Sequence, residues 1–216
     1  MNKVMIKKRY LFMSIMLVLV ISILFFTTNN NYNTSKNINT ENLPINYLSG
    51  SYSINTEDYR ELAGDADNIF VAKIDKLIDT EYRDMFKRED ESKNMEDWGS
   101  PYTNYEVTVL ENIKGNLIKD TPIPITKSGG VIYDNSAIEV YENDQLPKVG
   151  NIYVMYGYTQ SDGSILVSGP NSNHELDLKN NKTILHKNDV YEKIFTGYKN
   201  AIESNRVHQK SIYENK

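Results

Sequence analysis

The chain contains no cysteine. That single absence excludes disulfides, thiolate metal sites, cysteine nucleophiles and a lipid-modified amino-terminal cysteine. Tryptophan is almost as scarce, since Trp98 is the only one. The three histidines, His174, His186 and His208, lie far apart, whereas a zinc site needs three or four converging ligands. Basic residues are also few once the start of the chain is set aside. The first 26 residues hold four bases and no acid; beyond them 20 bases face 29 acids, a net charge of −9. Such a surface repels nucleic acid and anionic headgroups, so neither is an expected partner.

What the sequence does have is one long apolar run. Residues 11–26 are uncharged, hold only Ser14 and Ser22 as polar residues, and follow Lys3, Lys7, Lys8 and Arg9. Extended over residues 10–28, the run makes about 28 Å of helix, close to the thickness of a bilayer core. With no polar face to show to water, it does not read as a soluble helix. Its exit, Phe25-Phe26-Thr27-Thr28-Asn29, lacks the small-residue site of a cleaved signal. The basic flank keeps that end in the cytoplasm. The sequence therefore predicts a signal anchor over residues 1–28 and a single-pass cell-membrane protein with an extracytoplasmic carboxy-terminal domain. Secretion after cleavage is the alternative. The abundance of Lys, Asn and Ile points to a bacterium with an AT-rich genome.

Residues 29–55 are Asn-rich without apolar period and read as a flexible tether. A domain is expected over residues 56–204 and a polar tail over 205–216. Within the domain, Thr56 offers a helix cap and Gly64 a stop. Residues 68–77 alternate as a strand, with Ile69 and Val71 on one face and Phe70, Ala72 and Ile74 on the other. Residues 79–98, with eight acids and four bases, show no period and read as a long loop. Residues 102–113 alternate again, with Tyr105, Val107 and Val109 on one side. Residues 121–126 form a strand whose Pro122 and Pro124 suit an edge. Residues 129–147 read as irregular. Residues 151–159 and 165–167, joined through Asp162-Gly163, form a hairpin. Asp189 with Glu192 makes a capping box. It opens an amphipathic helix whose stripe, Val190, Tyr191, Ile194, Phe195, Tyr198 and Ile202, is expected to pack on a sheet. The expected fold class is mainly β: a small closed barrel with a carboxy-terminal helix, preceded by the transmembrane helix.

The order Ala66-Asp67-Asn68-Ile69-Phe70-Val71-Ala72-Lys73, then Tyr105-Glu106-Val107-Thr108-Val109, then Lys114-Gly115 resembles the opening of netrin-like domains, a group that includes the tissue inhibitors of metalloproteinases. Val149-Gly150-Asn151-Ile152-Tyr153-Val154-Met155-Tyr156-Gly157 followed by Asp162-Gly163 is similar to their later hairpin, after which a helix follows there too. The likeness covers most of residues 59–202 and is shared by bacterial surface proteins. It implies a five-stranded OB-like barrel with a packed helix. The metalloproteinase inhibitors act through an amino-terminal cysteine that reaches the protease's zinc. This chain has none, so that route is not carried over.

No catalytic constellation emerges. Ser128-Gly129-Gly130 lacks the strand–serine–helix setting of a nucleophile elbow, and reads as a turn rather than an anion nest. His174, Glu175 and Asp177, or Asp134, Glu139, Glu142 and Asp144, are the nearest approaches to metal ligands, without zinc or EF-hand spacing. Neither a cofactor nor a metal is expected. In OB folds the loop after the first strand meets ligands, which is residues 79–101 here. Partner contact is accordingly expected at Trp98, Tyr102, Asp90, Glu91 and Asp97, joined by the loop over 129–144. The function expected is a non-enzymatic membrane-anchored module that binds a protein or peptide. A surface protease inhibitor or regulator is the alternative, and a metal-dependent hydrolase a more distant one.

Overall fold

The computed structural model describes residues 42–89, 93–177 and 188–215, apart from the side chain of Glu96, all within the compact unit Asn39–Lys216. The expected membrane anchor, and Asp90 and Glu91, lie outside the described residues. Among those described, no helix is long and apolar enough to cross a membrane. Among the described residues the fold is mainly β with two helices. In chain order the elements are β1 (Ile45–Leu48), α1 (Tyr59–Asp65), β2 (Asn68–Glu89), β3 (Met95–Lys114), β4 (Pro122–Ser128), β5 (Gly130–Val131), β6 (Ile138–Tyr141), β7 (Ile152–Thr159), β8 (Ile165–Val167), β9 (Asn173–Leu176) and α2 (Asp189–Lys199).

Strand pairings run β2–β3–β4–β8–β7 and then from β7 back to β2, with β9 on the remaining part of β7. All are antiparallel except β4 with β8. Pro122 and Pro124 sit opposite Thr108 and Glu106, while β8 pairs only with Thr126 and Lys127. The prolines thus occupy the part of β4 that has no second neighbour to bond. A smaller sheet, β1–β6–β5, stands beside this circuit.

Two apolar clusters share the same central strands. Phe70, Ala72 and Ile74 of β2 and Tyr153 and Met155 of β7 point into one cluster, with Tyr105, Val107, Val109, Ile123, Ile125 and Ile165. The intervening residues Ile69, Val71, Ile152, Val154 and Tyr156 point the other way, beneath Leu62, Ala63, Tyr191 and Ile194 of the two helices. Where β2 and β7 pair, both faces are buried, which is why their sequences are almost continuously apolar. Gly129, at φ +101°, lets the chain step from the larger sheet to the smaller. A β-carbon there would lie 2.6 Å from the Glu139 carbonyl oxygen.

Several sequence expectations change. Residues 79–89 and 95–98 are not part of a loop, because β2 and β3 continue through them as paired strands up to Glu89 and from Met95. The irregular region over 129–147 contains β5 and β6. The described part of the expected tether, from residue 42 to 55, contains β1, whose residues are all exposed and which is held in parallel register with β6. The cap of α1 is Asp58, accepting from the Arg60 amide, because an aspartate one residue before the helix reaches the free N–H groups better than Thr56. Gly64 lies inside α1 rather than at its stop, and Lys114 Nζ donates to the Ala63 carbonyl at 2.8 Å near that helix's end. Asn188, not Asp189, caps α2. Ile202 lies beyond that helix. The polar tail is tied down: the Ile118 amide donates to the Tyr213 carbonyl, and Tyr213 packs against the interior cluster.

The helices meet the following segment with no room to spare. A β-carbon on Gly64 would lie 1.8 Å from the Ile202 carbonyl oxygen. In an open helix Gly→Ala gains up to about 1 kcal/mol, but overlap with backbone costs about 1–3 kcal/mol. Urea denaturation of Gly64→Ala should therefore show a lowered midpoint, and a raised midpoint would contradict this packing.

Candidate functional site

Beyond Lys73, β2 no longer pairs with β7, and before Thr103, β3 no longer pairs with β4. The two strands nevertheless stay paired to each other out to Glu89 and Met95. The result is a two-stranded arm. Its base rests on the smaller sheet, where the Tyr82 hydroxyl donates to the Val131 carbonyl at 3.0 Å and its ring meets Tyr133 edge-on. Past that point, seven residues of β2 extend about 20 Å. Among the described residues the arm contributes nothing to either apolar cluster.

A bulge sets the arm's two faces. Arg83 is opposite Ser100 and Phe86 opposite Trp98, so Asp84 and Met85 oppose the single Gly99. Asp84 takes φ +52°, and a β-carbon on Gly99 would lie 2.4 Å from the Met85 sulfur. The extra residue brings Arg83, Phe86 and Arg88 onto the face that carries Tyr102, Ser100 and Trp98. On that face the Arg83 guanidinium lies 4.2 Å from the Tyr102 ring centroid and that of Arg88 3.5 Å from the Trp98 ring. The opposite face carries Met85, Met95 and the Lys87–Asp97 ion pair at 2.5 Å. Phe86 (53% exposed) and Met95 (61%) stand open to solvent.

Of the five residues expected to meet a partner, Trp98, Tyr102 and Asp97 are on this arm. Trp98 and Tyr102 share a face and Asp97 lies on the other. Arg83, Phe86 and Arg88 were missed. Their spacing is irregular for a strand until the bulge is counted, so alternation could not reveal them.

The polar candidates have other partners. His174 sits between the rings of Tyr59 and Tyr156, at 5.4 and 6.5 Å between centroids, while Glu175 faces away and accepts from Asn151 and Tyr153. His208 and Arg206 both reach the buried carboxylate of Asp67, which also accepts from the Thr159 and Gln209 amides. Asp134 accepts from the Ser136 amide, ending a turn. Asp144 is buried against Lys127 at 2.5 Å and accepts from Ser172 and Asn173 as well. Burial pushes the Lys127 pKa down and that of Asp144 up, and each charge partly restores the other. Among the described residues no three His, Asp or Glu side chains converge as a metal site requires. No protein-family model and no curated protein matches the sequence.

Two predictions follow from this polar interior. Lys127→Met leaves Asp144 buried and unpaired and should cost about 3–5 kcal/mol in denaturant titration. Adding Asp144→Leu should recover a large part of that loss, and no recovery would show that the pair is not a unit. His174 is the second case. Burial lowers its pKa below the ordinary 6.5, so the fold prefers the neutral ring. Stability is then complete above the unfolded value and declines as pH falls through it toward the folded one. His174→Phe should flatten that decline, read from melting temperature between pH 7.5 and about 5.

Proposed function

We propose that this chain is a non-enzymatic binding module, held at the outer face of a cell membrane by residues 11–26, that meets a protein or peptide partner through the β2–β3 arm. The uncharged run behind a basic flank supports the membrane tether. Secretion after cleavage would leave the same module free. The return of the pairing circuit from β7 to β2, with β4 and β8 parallel, supports reading the larger sheet as an OB-like barrel of the netrin-like kind. The order of the sequence motifs points the same way.

The arm is the observation that carries the binding role. It packs over no core, yet its strands stay paired across the bulge and hold aromatic and arginine side chains in stacks. Trp, Tyr and Arg are the residues on which interface energy concentrates. An ordered element that presents all three loses little side-chain freedom on binding. The site expected on loops is thereby moved onto a ribbon.

The test uses the full chain as bait, wild type beside Phe86→Ser/Met95→Ser, on cells that produce it. Both positions are exposed, so melting should change by little. A partner held by the wild type should be depleted at least about tenfold with the variant. Equal retention would remove the arm from the binding role.

A further inference from the structure

A cavity of about 250 Å³ lies between the segment that follows β1, helix α1 and the turn after β8. Three tyrosines line it, Tyr52, Tyr141 and Tyr158, with Asp65 and the small polar residues Ser53 and Ser168. The rings of Tyr52 and Tyr141 meet at 78° with centroids 6.3 Å apart, which makes an aromatic corner. Tyr158 contributes a third ring to the same lining as Asp65.

The charge of this lining has one sign. Asp65 is its only acidic side chain, and no Lys, Arg or His is among the lining residues. Burial raises the Tyr52 pKa above the ordinary phenol range, with smaller contributions from Tyr141, Glu142 and Asp144. The nearby Arg206 is itself paired with Asp67 and lies with its guanidinium 5.1 Å from the Tyr158 ring centroid. One tyrosine of the set thus already has a cation close to its ring. Aromatic rings attract cations through their negative faces, and several rings beside a carboxylate are the way proteins hold ammonium groups.

We propose that this cavity binds a small organic ammonium ion, with the three tyrosine rings around its alkyl shell and Asp65 as counter-charge. The segment over 52–56 forms the cover. It is fixed on one side where the Glu142 amide donates to the Leu48 carbonyl at 3.0 Å, and on the other where Asn171 Nδ2 donates to the Thr56 carbonyl at 3.0 Å. This site stands independently of the arm and of the partner proposed for it.

Ligand-observed NMR on the full chain tests the site with three probes: choline, n-butylammonium as a mimic of a lysine side chain, and 3,3-dimethylbutanol, the uncharged counterpart of choline. Saturable binding of either cation, at least about tenfold tighter than the alcohol, is the expected result. Choline preferred over butylammonium assigns the site to quaternary headgroup-like ligands, and the reverse to primary amines; either supports the proposal. Tyr52→Ala should weaken the cation about tenfold while Tyr52→Phe keeps it, because the ring and not the hydroxyl makes the contact. Tyr52 is 40% exposed at the rim, so neither change depends on the fold surviving a core substitution. Equal affinity for the alcohol, no saturable binding of either cation, or full affinity in Tyr52→Ala overturns the proposal.

Discussion

The pairing of β2 with β7 is the constraint on which the rest depends. It joins the last long strand of the sheet to the first and returns the circuit of pairings to its start. It also gives the structure its two apolar layers. Alternate residues of the same six-residue ladder face the interior cluster on one side and the helices on the other. Burying both faces of one ladder removes roughly twice the apolar area per residue that a one-sided sheet would. For a chain without disulfides, that two-sided burial is the main source of stability.

Everything peripheral is attached to this centre by polar contacts of a specific kind. Asp67 lies just before β2. Its carboxylate gathers the Thr159 amide, Arg206, His208 and the Gln209 amide, and so draws the end of the chain onto the start of the sheet. Asp144 does the same for β4 and β9 by accepting from Lys127, Ser172 and Asn173. Both carboxylates are almost fully enclosed, and a buried charge is tolerable only when its oxygens are occupied. The arm follows a different rule. A two-stranded ribbon is marginal alone, and here its stability comes from cross-strand stacks and from the sheet that fixes its base.

The parts of the fold that could be read from sequence are those with a burial pattern. Ile69 through Ile74, Tyr105 through Val109 and the turn at Asp162-Gly163 each show alternation or a turn residue tied to one geometry, and the strands and hairpin lie there. The arm was hidden for two physical reasons. Solvent on both faces imposes no alternation, and the register shifts between Ile74 and Lys76, Leu77 and Asp79, and Arg83 and Phe86 break what period remains. Strand β1 escaped because four exposed residues in an Asn-rich stretch carry no core signal. Trp98 and Tyr102 could be singled out by residue type. Their arginine partners, and the convergence of Tyr52, Tyr141 and Tyr158 from distant parts of the chain, needed the three-dimensional pairing.

Hydrogen–deuterium exchange on the full chain tests most directly whether a closed circuit of strands carries an ordered arm. The β2–β7 amides should exchange slowest, as global opening requires. Inward-facing amides over 83–89 and 95–100 should be protected to a lesser but measurable degree, with exchange by local opening. Exchange of those arm amides at the rate of an unstructured chain, while β2 and β7 remain protected, would contradict the account.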